Sequence, residues 1–180
     1  MYIRLAFSKN SQQNIEKLIK NIEDNKLFVS QLNEKAGLGC HNFHITLIGQ
    51  LTKIHKNIIK EVFSQINEGT FYVIPLYFSV TRYGYVKLMI KYNVNIIQLV
   101  NKIMKYIPEG NGYFTNTHIT IGRYFGQNIK EFQNYINNKY NIYKIIIEAN
   151  RIELDESALS LNIKQVYLSN FKPGSFIINK

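Results

Sequence analysis

A six-residue pattern occurs twice in this chain, as Asn42-Phe43-His44-Ile45-Thr46-Leu47 and, 74 residues on, as Asn116-Thr117-His118-Ile119-Thr120-Ile121. Residues i and i+2 of a β-strand project to one face, so each copy sets an imidazole beside a hydroxyl and turns its central isoleucine the other way. With 7 threonines in 180 residues, two of four histidines meeting a threonine two places on is about a 1% coincidence, and the matching Asn and Ile make it rarer. A repeat this long points to pseudo-twofold duplication rather than to a solenoid of short units. The chain is therefore expected to fold as two similar halves, each presenting one His-x-Thr strand.

The intervening pattern fits that plan. Tyr2 to Ser8 reads as a strand, and Ile15, Leu18, Ile19 and Ile22 recur at helical spacing after Ser11, which predicts an amphipathic helix over Ser11 to Asp24 with Ser11 as N-cap. Gln31 to Asn42 carries Gly37 and Gly39 with no clear period, a loop leading to the strand Phe43 to Ile48. Ile58, Ile59, Val62, Phe63 and Ile66 predict a helix over Lys56 to Asn67, ended by Glu68-Gly69. Phe71 to Thr81 and Tyr85 to Tyr92 flank the turn-like Arg82-Tyr83-Gly84 as a hairpin, with Pro75 marking an edge or a bulge. Asn93 to Ile107 is helical and stopped by Pro108; the loop Glu109 to Asn116 then delivers the second motif strand, Thr117 to Ile121. A helix over Ile129 to Lys139 and strands over Tyr143 to Leu154 and Lys164 to Asn170 complete the series, with Asp155 to Asn162 and the tail after Pro173 carrying no readable period. Such an order is an α+β plan and not strictly alternating parallel units.

Composition sets the wider limits. At 180 residues and 46% apolar content, the expectation is one packed domain over residues 1–180, able to bury roughly 70% of its unfolded surface. The lone Cys40 excludes an internal disulfide, and the N-terminus lacks a signal-like pattern, so a reducing, cytoplasmic setting is expected. No apolar run approaches the ~20 residues needed to cross a bilayer. The net charge of +10 favours a polyanionic partner such as RNA or a short oligonucleotide. An AT-rich genome, which also favours Lys, Asn, Ile and Tyr, would produce the same excess.

An imidazole exchanges protons near neutral pH, and a threonine hydroxyl donates to a phosphoryl oxygen. Two such strands side by side would flank a phosphodiester with one base, one acid and two hydroxyl grips, with neither metal nor cofactor required. These residues resemble the two-histidine (2H) phosphoesterase superfamily, which includes RNA 2′,3′-cyclic phosphodiesterases, 2′,5′-RNA ligase-like proteins and viral 2′,5′-phosphodiesterases. The resemblance rests on Phe43-His44-Ile45-Thr46-Leu47, on His118-Ile119-Thr120-Ile121-Gly122-Arg123, on the intervening helix and hairpin, and on the strand Tyr143 to Leu154. It implies a bilobal fold with a central cleft, His44 and His118 as the acid and base pair, Thr46 and Thr120 as phosphate ligands, and Arg123, three places after the second motif threonine, as a further phosphate ligand, with a solvated charge at a strand end as the alternative. Where bacterial members continue the first motif with a Phe-Leu-Gly-like segment, this chain has Ile48-Gly49-Gln50-Leu51. The small, AT-rich cast would suit a viral or phage enzyme acting in a host cytoplasm on 2′,5′-oligoadenylate.

Other residues carry weaker signals. Tyr83, Tyr85, Tyr124 and Phe125 are candidates to stack on a base, with core or rim packing as the alternative for each. Arg82 and Lys53 could guide a phosphate backbone. Cys40, His41 and His44 do not make a zinc site, because residues three apart point to opposite faces of a strand. His55, among lysines, reads as a surface residue. No obligate protein partner is implied. An RNA-binding module without catalysis, and a 2′,5′ RNA ligase, are the rival readings.

Overall fold

The computed structural model describes residues 2–38, 42–51, 71–91, 93–108, 110–112, 117–142 and 145–155. The predicted helix over 56–67 and strand over 164–170, and residues Cys40, His41, Lys53, His55 and Asn116, lie outside them. The described chain runs through β1 (Tyr2–Phe7), α1 (Lys9–Ile22), β2 (Phe28–Ser30), a single 3₁₀ turn (Glu34–Ala36), β3 (His44–Gly49), β4 (Phe71–Val73), β5 (Pro75–Val80) and β6 (Tyr85–Ile90). It continues through α2 (Val94–Met104), β7 (Asn111–Gly112), β8 (His118–Tyr124), α3 (Ile129–Lys139) and β9 (Ile147–Asp155). Among the described residues every strand pairing is antiparallel, and the strands join in the order β4-β9-β1-β3-β8-β6-β5, with β2 attached to β8 and β7 to β3.

Apart from β4, which is added at one end, that order is symmetric about its centre. The centre falls between the two motif strands β3 and β8, flanked by β1 and β6 and then by β9 and β5. The last strand of each half crosses over: β5, from the first half, pairs with β6, and β9, from the second, pairs with β1. β3 and β8 pair at Ile45↔Ile119 and then part, so that β8 takes β2 as partner from Gly122 to Tyr124 and β3 takes β7 at Ile48 and Gly49. The expected α+β duplication thus appears as two lobes splayed from a shared seam.

The long strand expected over Phe71 to Thr81 is instead two, broken at Ile74, and its halves sit at opposite ends of the strand order. In a flat sheet, six strand intervals would hold those ends roughly 29 Å apart, whereas the one residue between them spans only about 7 Å. The sheet is therefore curled nearly into a barrel, and Lys91 N–H donates to Ile74 O at 2.8 Å, carrying the β5–β6 ladder up to the break. Pro75, which has no N–H to give, opens the end strand β5 beside a register irregularity, as its chemistry required. Gly84 turns the β5–β6 hairpin at φ +82°, where a β-carbon would lie 2.1 Å from the carbonyl oxygen of Tyr124.

Ile3, Leu5, Ile45, Leu88 and Ile119 face one continuous core, joined by Ile15 and Ile19 of α1, Leu99 and Ile103 of α2, and Phe132 and Ile136 of α3. The cap of α1 differs from expectation. Ser8, directly after β1, is the N-cap, accepting from Ser11 N–H at 3.3 Å, while the buried Ser11 hydroxyl accepts from Glu148 N–H at 2.8 Å and ties the helix to β9. No helix among the described residues is long and apolar enough to cross a membrane.

Candidate active site

The Ile45↔Ile119 pairing fixes the geometry of both motifs. Antiparallel register sets residue 44 opposite 120 and 46 opposite 118, all four on the face away from the two fully buried isoleucines. Directly opposed side chains have β-carbons about 4.5–5.5 Å apart and diagonal ones about 7–8 Å. His44 and His118 therefore lie on one diagonal and Thr46 and Thr120 on the other, around a local twofold axis through the isoleucine pair. All four are partly exposed.

The flanking strands extend the same face. β1 sets Arg4 opposite Thr46 and Ala6 opposite His44; β6 sets Lys87 opposite Thr120 and Met89 opposite His118. A register shift follows each motif threonine: Leu47 is passed over between the Arg4↔Thr46 and Ile3↔Ile48 pairs, and Ile121 between Lys87↔Thr120 and Val86↔Gly122. Two consecutive residues are buried at each bulge.

The second bulge decides where Arg123 goes. Three residues after Thr120 on a regular strand, it would point into the core; with one residue taken up by the bulge it returns to the histidine face opposite Tyr85. Its guanidinium carbon lies 5.3 Å from the Tyr85 ring centroid and 5.1 Å from that of Phe125, and its buried Nε has no hydrogen-bond partner among the described residues.

His44 is held from several sides. Its Nδ1 lies 2.8 Å from Asn42 O; a carbonyl only accepts, so the proton is on Nδ1, and Nε2 keeps its lone pair when the ring is neutral. The Tyr2 ring stacks on the imidazole with centroids 5.5 Å apart. The residue before it, Phe43, is clasped by Gln12 of α1, which accepts from the Phe43 N–H at 3.0 Å and donates to its carbonyl at 2.7 Å.

Of the four expected stacking residues, Tyr85 and Phe125 accompany Arg123. Tyr83, at the hairpin turn, is exposed and engaged with Arg82, which bonds its hydroxyl and lies over its ring at 4.6 Å. Tyr124 is a correction: 8% exposed and stacked on Phe132 at 4.0 Å, it packs the core under α3 and offers no face to a base. The alternation that turns Arg123 outward turns its neighbour inward.

Tyr2, Gln12 and Lys87 were not anticipated. A second repeat marks two of them, since Tyr2-Ile3-Arg4-Leu5-Ala6 and Tyr85-Val86-Lys87-Leu88-Met89 hold matching register positions beside the two motifs. Among the described residues no group of three His, Cys, Asp or Glu side chains is placed to hold a metal. A cavity of about 560 Å³ between α1 and residues 30–35 contains none of these groups.

No family model matches the chain, and no curated protein matches its sequence. Among solved structures, it is similar to the crystal structure of E. coli LigT complexed with 3′-AMP, at 15% identity, over 70% of this chain and 72% of that one, with a TM-score of 0.52. That likeness establishes a LigT-like α+β fold.

Proposed function

We propose that the protein is a two-histidine phosphodiesterase acting on RNA-type phosphodiesters, with 2′,5′-linked oligonucleotides or 2′,3′-cyclic phosphate ends as substrates. The observation that carries this reading is the Ile45↔Ile119 register, which gives two imidazoles and two hydroxyls a common face in diagonal pairs. The LigT fold supports it, and the 3′-AMP in that protein's crystal structure is a nucleotide of the corresponding class.

In the proposed reaction, one neutral imidazole takes the proton of the attacking oxygen, either water at a cyclic phosphate or a ribose hydroxyl beside a phosphodiester. As the new P–O bond forms, the other histidine, as imidazolium, gives its proton to the departing oxygen and the old P–O bond breaks. The Thr46 and Thr120 hydroxyls and the Arg123 guanidinium hold the non-bridging oxygens as charge builds. The two imidazoles account for both proton transfers, so no step calls on a metal.

The test is a panel of 2′,5′-oligoadenylate, 3′,5′-linked RNA and a cyclic-phosphate oligomer, with products read by mass. His44→Ala and His118→Ala should each lower turnover by about 10²- to 10⁴-fold with unchanged circular dichroism, and EDTA should leave the rate unaltered. Full activity in both variants sinks the proposal; tight binding with no product from any substrate points to an RNA-binding module.

A further inference from the structure

The axis relating the motifs also relates β1 to β6 and β9 to β5, and it pairs Arg4 with Lys87 as equivalents. Each projects on the histidine face, opposite a motif threonine. The next strand outward treats them differently. Opposite Arg4, β9 places Glu153, 4% exposed, whose Oε2 lies 2.8 Å from Arg4 Nε and whose Oε1 lies 3.4 Å from Arg151 Nε. Opposite Lys87, β5 places Ser79. An alcohol thus stands where the other half has a carboxylate.

Lys87 is half-buried between Thr120 and Ser79, and no carboxylate among the described residues pairs with it. Burial pushes its ammonium below the ordinary lysine range, the response of a cation set in a partly desolvated place without a counter-charge. The first half gives its cation a buried carboxylate, shared with Arg151, whereas the second leaves its cation beside a hydroxyl suited to phosphate.

We infer that Lys87 is a phosphate-binding residue, contacting the substrate's phosphate beside Thr120, and that Arg4, its equivalent in the first half, is engaged by the buried Glu153 and held as part of the structure. The site is then symmetric in its proton-transfer groups and one-sided in which cation lacks a carboxylate, which gives the phosphate one seat instead of two. This rests on the phosphodiesterase reading above.

The experiment uses the full chain with inorganic phosphate and adenosine 3′-monophosphate as probes, followed by isothermal calorimetry and by NMR of lysine side chains, with the Lys87 signal identified from its absence in Lys87→Arg. Lys87→Met should weaken binding of both probes about tenfold to a hundredfold, while Lys87→Arg stays within about threefold of wild type. Ser79→Asp, which gives Lys87 the carboxylate its equivalent has, should weaken binding as Lys87→Met does. Removing a poorly compensated charge should also raise the Tm of Lys87→Met by about 2–4 °C, which separates lost binding from lost folding.

A Lys87 signal unmoved by phosphate in the wild type, or equal affinity in wild type, Lys87→Met and Ser79→Asp, overturns the inference. If the wild type cleaves the substrate panel with both histidines required while Lys87→Met keeps its KM, Lys87 fails and the phosphodiesterase reading survives. If nothing is cleaved but phosphate binding depends on Lys87, the opposite holds.

Discussion

Under the proposed function Arg123 offers its fork of donors to two oxygens of a tetrahedral phosphate, and two features act on that side chain. The rings of Tyr85 and Phe125 both lie against its guanidinium, and among the described residues its buried Nε has no hydrogen-bond partner. Lysine cannot stack in that way and has no fork of donors to offer. Arg123→Lys should therefore raise KM for the cleaved phosphodiester by about tenfold or more, while Phe125→Ala, which removes one half-exposed ring, should cost only about two- to fivefold. Steady-state kinetics on the two variants checks the order. Equal, small effects would remove Arg123 from the binding site. The sequence could not say which way this residue points, because period-2 alternation puts it in the core and only the bulge at Ile121 reverses that. Bulges leave no signature in a short alternating stretch such as Ile119-Thr120-Ile121.

The three described helices were legible from periodicity, since each keeps apolar residues at three- and four-residue spacing on the face it buries. Their ends were less so, because a cap depends on where the preceding strand stops: Ser8 is the N-cap of α1 because β1 ends at Phe7. α1 has a second task that no spacing discloses. Its Gln12 holds both polar groups of the Phe43 peptide, one residue ahead of His44, and so sets where that strand begins. Gln12→Ala would leave a part-buried N–H and C=O without partners. An unfolding free energy lower by about 1–3 kcal/mol is expected by urea titration, together with a fall in kcat larger than any change in KM. An unaltered kcat would show that His44 does not depend on the clasp.

At the scale of the whole molecule, neither half is complete. β5 leaves the first half to pair with β6, and β9 leaves the second to pair with β1. The duplication was legible as two motif copies, but this exchange was not, because pairing partners across some 150 residues depend on the curl of the whole sheet. The split of Phe71 to Thr81 belongs to the same difficulty, since one apolar run with a proline can equally serve one bent strand or two edges of a nearly closed sheet. The exchange predicts that fragments cut at the β5–β6 turn will each lack a cooperative unfolding transition, and that mixing them will restore the β-sheet circular dichroism signal. A stable, cooperative fold in either fragment alone would show that the crossed strands are dispensable.

The paired bulges constrain how this chain can change by mutation. Between each motif threonine and the next residue on its face, the odd spacing includes the one residue that each bulge takes up. Substitution at Leu47 or Ile121 by another apolar side chain leaves that count intact and should be accommodated. Gain or loss of one residue at either place reverses the facing of every later residue in the strand, and in β8 it would carry Arg123 away from the histidines. Within these two strands, length is inherited under a stricter rule than identity.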